Sequence, residues 1–341
     1  MIWLVWRQHR IQVLVAGIAF SLLTIGLIVL GVTARTRAQR LGLPECLKAN
    51  LDCTKSLTVL SGQFHSIPPF TGLLLILPVL AGMFIGAPLL SREYEEGTHR
   101  FVWTQSISPL RWLSSKIILI FGALALASAA LGGLTNWALS PLMSGFGGRF
   151  NSTWYDIQGI VPIACMLFAL SLGVASGALI RRSIPTMATT LTLYAIARIP
   201  VHLIRGHFAK SSLETFNVPL TSLLKDPYRG LAENTKSHVN QNDWIINSAV
   251  TGPTGSPLSN GQANLDILQR YCPQLMQAGK INGKVLNSSS CRSSLDGLNL
   301  HFQIKFQPIS HFWLIQGVES LLFLSTSALL IYIAIYSVKG R

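Results

Sequence analysis

The densest group of titratable side chains in the 341-residue sequence lies between residues 91 and 116. Arg92, Glu93, Glu95, Glu96 and Arg100 fall within nine consecutive positions, although only 12% of the chain is charged. Neighbouring carboxylates of this kind can activate a water molecule beside a metal ion. They can also form helical ion pairs, because Arg92 with Glu96 and Glu96 with Arg100 are spaced four residues apart.

The metal chemistry has one matching pattern. Residues 95–100 spell EExxxR, a signature of intramembrane metal-dependent proteases. That chemistry needs further histidines at membrane depth, and the chain offers only His202 near the end of an apolar run, without an FxxxH partner motif. A P-loop and the H-E-x-x-H, C-x-x-C and G-x-S-x-G motifs do not occur in the sequence either. We therefore expect no metal site, no bound nucleotide and no catalytic residues in this chain.

Helix signals flank the charged group instead. Gly97 and Thr98 favour the end of a helix, whereas Ser108 followed by Pro109 fits an N-cap and a first helical position. Between them, residues 101–103 (FVW) are typical of a segment at a membrane surface. The pattern predicts a short polar helix, a break and a new helix.

The composition is that of a polytopic membrane protein. Half of the residues are hydrophobic and the mean hydropathy is +0.44. About 20 apolar residues cross a bilayer, and six runs qualify: residues 11–33, 67–90, 117–139, 159–180, 184–204 and 312–337. The net charge of +14 is better explained by cytoplasmic loops and anionic lipid headgroups than by nucleic acid. The fold class predicted is all-α with six transmembrane helices.

Three regions follow from this layout. Residues 1–204 hold five spans, residues 205–311 form a large loop or cap, and residues 312–341 hold the sixth span and a tail.

Residues 1–10 (MIWLVWRQHR) fit either a short interfacial helix or an ordinary basic flank with tryptophan anchors. Prolines 68, 69, 78 and 88 predict kinks in the second span, and Gly173, Ser176 and Gly177 predict close helix packing in the fourth.

Polar residues also fall inside the spans. Arg198 lies in the fifth span, and Gln316 and Glu319 lie in the sixth. Such charges usually face protein or water, because exposing them to lipid costs at least about 2.5–3.5 kcal/mol at mid-bilayer. Arg198 and Glu319 lie at comparable depth, so they either pair or anchor separately at the interface.

Charge and cysteine placement indicate the orientation. The side holding both termini and residues 91–116 carries ten Lys and Arg residues, against six in the short links of the other side. Arg205, Lys210 and Lys305 would raise the second count to nine. Four of the five cysteines lie on that second side, which favours disulfides in an oxidising exterior. The simplest pairing is Cys46–Cys53 and Cys272–Cys291, although four cysteines allow three connectivities. The termini are therefore expected in the cytoplasm of a cell-membrane protein.

The central stretch, REYEEGTHRFVWTQSISPLRWLSSK, resembles the intracellular loop of ABC transporter permease subunits of the type-2 exporter family. The similarity is strongest to actinobacterial-style permeases that begin with WRQHR, present here as residues 6–10. Their E-x-E-x-G-T element matches Glu93, Glu95, Gly97 and Thr98, and their W-T-Q-S and R-W-L-x-x-K elements match residues 103–106 and 111–116. Residues 306–319 are similar to the closing element of the family, whereas Pro109 stands where a basic residue is more usual.

The resemblance implies a permease that couples ATP hydrolysis on a separate cytoplasmic subunit to export. In such permeases the loop after the second span contains a coupling helix that docks on the ATP-binding subunit, with the turn after the fourth span as a smaller contact. The implied contact residues are Arg92, Glu93, Glu95, Glu96, Gly97, Thr98, Arg100, Gln105, Arg111, Arg181 and Arg182. A second permease copy, or a related permease, would complete the path, with membrane lipids around both. The main alternative is an ATP-independent membrane receptor or anchor whose exterior cap binds a ligand.

Overall fold

The structure is a computed structural model that describes residues 2–49, 53–64, 67–97, 109–143, 148–217, 239–240, 242–251, 257–260, 276–277, 280–281 and 301–339. The chain forms two compact units, residues 1–208 with 313–341, and residues 209–312. The first unit is helical. Its helices are α1 (Ile2–Arg40), α2 (Leu43–Lys48), α3 (Thr54–Gln63), α4 (Ile67–Ala81), α5 (Pro88–Glu95), α6 (Pro109–Leu139), α7 (Ser152–Tyr155), α8 (Val161–Ile180), α9 (Ser183–Ile204) and α10 (Phe312–Lys339).

Six of these stretches are long and apolar enough to cross a membrane, which confirms the six-span layout. Spans 1 to 6 are Leu14–Arg40, Phe70–Glu95, Arg111–Leu139, Val161–Ile180, Ser183–His207 and Ile309–Lys339. Several extend beyond the predicted apolar runs, because the helix continues through flanking polar residues. Span 1, for example, includes Arg35, Arg37 and Arg40.

The N-terminal residues belong to the first helix. α1 runs without interruption from Ile2 to Arg40, so the interfacial helix considered for residues 1–10 is not a separate element. No glycine or proline lies between Arg10 and Ala16 to end a helix there. The segment is therefore a helical extension of span 1, which favours the basic flank of the two alternatives.

Span 2 contains the local break that its prolines predict. A π-helical turn (Gly82–Gly86) separates α4 from α5, and the Ala87 N–H donates to the Gly82 carbonyl at 2.8 Å, five residues back. Pro88 has no N–H to donate, so it occupies the first position of α5 without losing a hydrogen bond. Single π-helical turns inside α-helices are often found at functional sites.

Small residues bring span 2 against span 4 at this break. A Cβ built on Gly82 would lie 2.6 Å from the carbonyl oxygen of Ala169, and one on Gly173 would lie 2.6 Å from the backbone nitrogen of Ala87. Neither position has room for a side chain, so the backbones are in direct contact. The packing face predicted for the fourth span is confirmed, and most of span 4 is buried.

The mostly helical class is confirmed, and the second unit, residues 209–312, adds an antiparallel sheet to it. The sheet has the order β1 (Ser212–Asn217), β6 (His301–Gln307), β2 (Trp244–Thr251) and β3 (Pro257–Asn260). A second, two-stranded sheet consists of β4 (Met276–Gln277) and β5 (Lys280–Ile281). Phe302 and Ile304 on β6 are buried, and the Phe302 ring packs edge-on against Phe216 of β1. The sequence did not reveal these strands, because they are short and polar runs separate them.

The first predicted disulfide is confirmed. Cys46 of α2 is bonded to Cys53, the residue that precedes α3. This bond closes a short loop within the link between spans 1 and 2. Cys272 and Cys291 lie outside the described residues, so their pairing stays a prediction.

We predict that Gly173→Ala destabilises the chain, because the added methyl group would meet the span 2 backbone. Overpacking of this kind costs about 1–3 kcal/mol. The matched control is Gly122→Ala on α6, where a Cβ would have no neighbour within 4 Å. Thermal unfolding in detergent should show a lower Tm for the first variant only. Equal Tm values would contradict the direct contact of spans 2 and 4.

Candidate functional site

The exposed end of α5 carries three of the charges singled out in the sequence. Arg92, Glu95 and Glu96 are exposed, and Arg92 Nε donates to Glu96 Oε1 at 2.7 Å. The side chains of Arg92 and Glu96 are 65% and 49% exposed. An ion pair this exposed stabilises a fold by only a few tenths of a kcal/mol. The spacing of four residues predicted this pair. Its two side chains mainly present charges to solvent and add little stability.

Glu95 connects this helix end to span 5. Its Oε2 accepts hydrogen bonds from the Ser183 N–H at 3.0 Å and from Ser183 Oγ at 2.7 Å. Ser183 is the first residue of α9, whose preceding residue Arg182 makes no side-chain cap. Helix N-termini leave N–H groups without partners and favour negative charge. The Glu95 carboxylate therefore caps span 5 from span 2.

The turn after span 4 lies beside α5 as a result. Arg181 ends α8 in the left-handed region, with φ of 62°, and its N–H donates to the Gly177 carbonyl at 3.1 Å. The Arg181 guanidinium lies 5.3 Å from the centre of the Tyr94 ring, within cation–π range. Arg182 is exposed. The two segments implied as contacts thus form one continuous surface, here named the α5 edge: Arg92, Glu95, Glu96, Gly97, Arg181 and Arg182.

Gly97 ends the helix, as the sequence predicts. Its φ of +70° lies in the left-handed region that glycine adopts without steric cost. The next described element is α6, which begins at Pro109, the predicted first helical position. Arg111 is exposed in its first turn. Thr98, Arg100, Gln105 and the N-cap residue Ser108 lie outside the described residues, and the Glu96–Arg100 pair with them.

Glu93 does not belong to the exposed surface. Its side chain is only 12% exposed and forms an ion pair with Lys116 of α6, which is 1% exposed. The ammonium of Lys116 also lies 4.4 Å from the centre of the Trp112 ring. Glu93 is two positions from Glu95, so on a helix the two side chains point in different directions. Unlike Glu95 and Glu96, Glu93 therefore presents its carboxylate to the interior of the helical unit.

A second charged cluster joins spans 5 and 6 to the link between spans 3 and 4. Asp156 Oδ1 lies 2.6 Å from Arg205 Nη1 and 2.5 Å from Arg198 Nη2, the latter without hydrogen-bond geometry. Asp156 Oδ2 lies 3.2 Å from His202 Nδ1. Arg198 is also paired with Glu319. Of the two alternatives for Arg198 and Glu319, the structure has the direct pair.

The cluster is electrically balanced. Two guanidinium groups face two carboxylates, and Glu319, Arg205 and Asp156 are almost completely buried. Burial alone would raise the pKa of Asp156, but the hydrogen bond with His202 and the charges of Arg198 and Arg205 outweigh it and lower the pKa. Burial, reinforced by the charge of Glu319, raises the pKa of Tyr155, so this phenol stays neutral. The arrangement can hold helices together, and all its ionised groups have partners.

Gln316 joins span 6 to the link that leads into span 4. Its Oε1 accepts from the Ile160 N–H at 2.9 Å, and its Nε2 donates to the carbonyls of Tyr155 and Gln158 at 3.2 and 3.0 Å. The side chain is fully buried. It therefore satisfies backbone groups at the start of α8, which is why an amide can lie inside the sixth span.

Several of these contacts were missed in the sequence. Asp156 and Arg205 lie in connecting segments between apolar runs, and Lys116 looked like a flanking loop charge. Their partners are 49 and 23 residues away in the chain. One signal in the sequence could have found them: an acidic residue near an apolar run needs a cationic partner at a similar depth in the membrane.

We predict that Asp156→Asn lowers the free energy of unfolding by about 3–5 kcal/mol, the usual effect of breaking a buried ion pair on one side. Glu96→Gln on the exposed surface should change it by no more than about 0.5 kcal/mol. Because the pKa of Asp156 is lowered on folding, its stabilisation is present at neutral pH and is lost as pH falls below about 4 through the folded value. Unfolding by SDS titration at several pH values should show this loss in the wild type and not in Asp156→Asn. Equal stability of both chains at pH 7 would contradict the role given to Asp156.

Comparison with known proteins agrees with this architecture. The model of the family described as ABC-2 membrane transporter related matches residues 17–205, more than half of the chain. The matched region begins in span 1 and ends at Arg205 of the charged cluster, so it includes the whole α5 edge. No curated protein and no solved structure matches the chain. The chain is a multi-pass membrane protein that belongs to the ABC-2 related membrane transporter family.

Proposed function

We propose that the chain is the permease subunit of an ATP-driven ABC exporter, and that the α5 edge is the surface on which a separate ATP-binding subunit docks. Membership of the ABC-2 related family supports the permease assignment. The observation that carries the docking assignment is the Glu95–Ser183 contact. It joins the end of span 2 and the span 4–5 turn into one exposed surface of mixed charge.

The geometry favours docking at this surface for a physical reason. Arg92, Glu96 and Arg182 are exposed charges that contribute little to stability. Charges arranged on a surface instead favour recognition of a partner with complementary charges. Among the described residues, the proposed docking contacts are Arg92, Glu95, Glu96, Gly97, Arg111, Arg181 and Arg182. Glu93 is not one of them, because its side chain is buried against Lys116. ATP would be bound and hydrolysed by the partner alone.

The proposal requires the α5 edge to face the cytoplasm. The excess of Lys and Arg on that side supports this orientation, and so does the Cys46–Cys53 disulfide in the link expected outside. Both termini then lie in the cytoplasm, and residues 209–312 lie outside the cell. A second copy of the chain, or a related permease, would form the other half of the translocation path.

We predict that charge reversal by Glu95→Lys together with Glu96→Lys abolishes association with the ATP-binding subunit. The readout is the amount of ATPase that co-purifies with tagged permease in mild detergent. Glu96→Lys alone tests the exposed charge without touching Ser183, and Ser183→Ala tests the cap without changing charge. Glu96→Lys should weaken association strongly. Ser183→Ala removes only the hydroxyl bond to Glu95 and keeps the N–H bond, so it should weaken association less. Unchanged ATPase recovery with the double reversal would contradict the docking assignment.

Cysteine labelling tests the orientation. In a cysteine-free variant, a cysteine introduced at Glu96 should react with a membrane-impermeant maleimide in inside-out vesicles and stay unlabelled in intact cells. A cysteine at Lys48, an exposed position in the link between spans 1 and 2, should show the opposite pattern. Labelling of position 96 in intact cells would rule out contact with a cytoplasmic ATPase.

A further inference from the structure

The buried ion pair between Glu93 and Lys116 links the helix that carries the α5 edge to the start of span 3. Glu93 lies on α5 and Lys116 on α6, 23 residues later. Both side chains are largely shielded from water, with 12% and 1% of their surface exposed. The α5 edge itself lies on a different face of the same helix, at Arg92, Glu95 and Glu96.

Buried apolar side chains flank the pair on both helices. Leu89 and Leu90 of α5 and Trp112 and Leu113 of α6 belong to one buried cluster, which also includes residues of spans 4 and 6. In such a cluster two apolar side chains would pack at least as stably. Replacing a buried ion pair by apolar residues of similar volume is often neutral or stabilising by about 1–4 kcal/mol. Stability alone therefore gives no reason for a charged pair at these two positions.

A charged pair differs from an apolar contact in its directionality. Apolar side chains can slide past each other at small cost, because the hydrophobic effect is non-directional. The Lys116 ammonium is fixed at the Glu93 carboxylate and over the Trp112 ring, 4.4 Å from its centre. A shift of α5 along α6 would separate two opposite charges in an interior that cannot solvate them. The pair therefore fixes the register of α5 on span 3.

α5 is fixed on a second side as well. Glu95 holds the start of span 5 through the N–H and hydroxyl of Ser183. Two carboxylates two residues apart thus connect one short helix to two different spans. Glu95 does this at the surface and Glu93 in the interior.

We propose that Glu93 and Lys116 are a positioning pair that transmits displacement of the α5 edge to span 3. When the ATP-binding subunit moves the α5 edge, the ion pair makes span 3 follow α5. Neither residue touches the ATPase or the transported molecule. This inference rests on the proposed function, because the movement it transmits comes from ATP hydrolysis on the partner.

The test compares the wild type with the double variant Glu93→Leu/Lys116→Met, which removes both charges and keeps an apolar contact of similar volume. The single variant Lys116→Met would leave a carboxylate buried without its partner and would lose stability for that reason alone. The double variant avoids this penalty. Its Tm should be no lower than that of the wild type, and its association with the co-purifying ATPase subunit should be unchanged.

The decisive measurement is the rate of ATP hydrolysis in the reconstituted complex relative to the separated ATPase subunit. With the double variant the stimulation by the permease should fall at least about fivefold, the lower end of typical coupling between two sites. Arg35→Met is the matched control, because Arg35 donates to the Trp137 carbonyl at 2.6 Å and to Ser140 Oγ at 3.0 Å, far from α5 along span 3. This variant should lower Tm and leave the stimulation unchanged.

The outcomes separate the two proposals. If the double variant binds the ATPase and stimulates it as the wild type does, the positioning role is wrong and the proposed function stands. If the stimulation is lost only in proportion to a loss of Tm, the pair is merely structural and the inference is also overturned. If the wild-type chain neither binds an ATPase nor stimulates it, the proposed function fails and the positioning role fails with it.

Discussion

The pairing of buried charges is the constraint on which the helical unit depends. Glu93 with Lys116, and Arg198 and Arg205 with Asp156 and Glu319, are charges that the apolar interior cannot solvate. An isolated ionised group would cost several kcal/mol in that environment. Each group therefore finds its partner on another helix or link, and the helices can approach only in registers that allow this. The apolar residues provide most of the burial, and the charges decide which arrangement of the helices is acceptable.

The two groups of buried charges lie at opposite ends of span 3. Lys116 lies near the start of this span, and Asp156 lies in the link that follows its end. About 20 helical residues rise 30 Å, so the two groups are separated by roughly the thickness of a bilayer. Between them, Gly82 and Gly173 bring the backbones of spans 2 and 4 into contact. Span 3 is held in register at its start by Lys116, and the link after it is held by the ionic contacts of Asp156. A helix held at both ends is suited to moving as one body.

The sequence predicts those features of the structure that depend on residues close together in the chain. Apolar run length gives the six spans, Gly97 and Pro109 mark a helix end and a helix start, and the spacing of Arg92 and Glu96 gives their ion pair. The Arg198–Glu319 pair was one of two alternatives, because depth in a span can be counted from the sequence but rotation about the helix axis cannot. Asp156 was missed because it lies in a link whose path the sequence leaves open, and Arg205 because it lies just beyond the predicted end of the fifth span at residue 204. The sheet of the second unit was missed because its paired strands are separated by long polar stretches.

For the docking proposed above, Glu95 makes the α5 edge a preformed surface and not one that the partner induces. Its carboxylate is already committed to the start of span 5, so the relative position of α5 and the span 4–5 turn is fixed before any other protein arrives. A preorganised surface loses less conformational entropy on binding than a mobile one. Arg92 and Glu96, by contrast, form an exposed pair that water and salt can readily compete with. The rigid contact and the exposed charges thus have separate roles, since the first fixes the shape of the surface and the second leaves charges available for recognition.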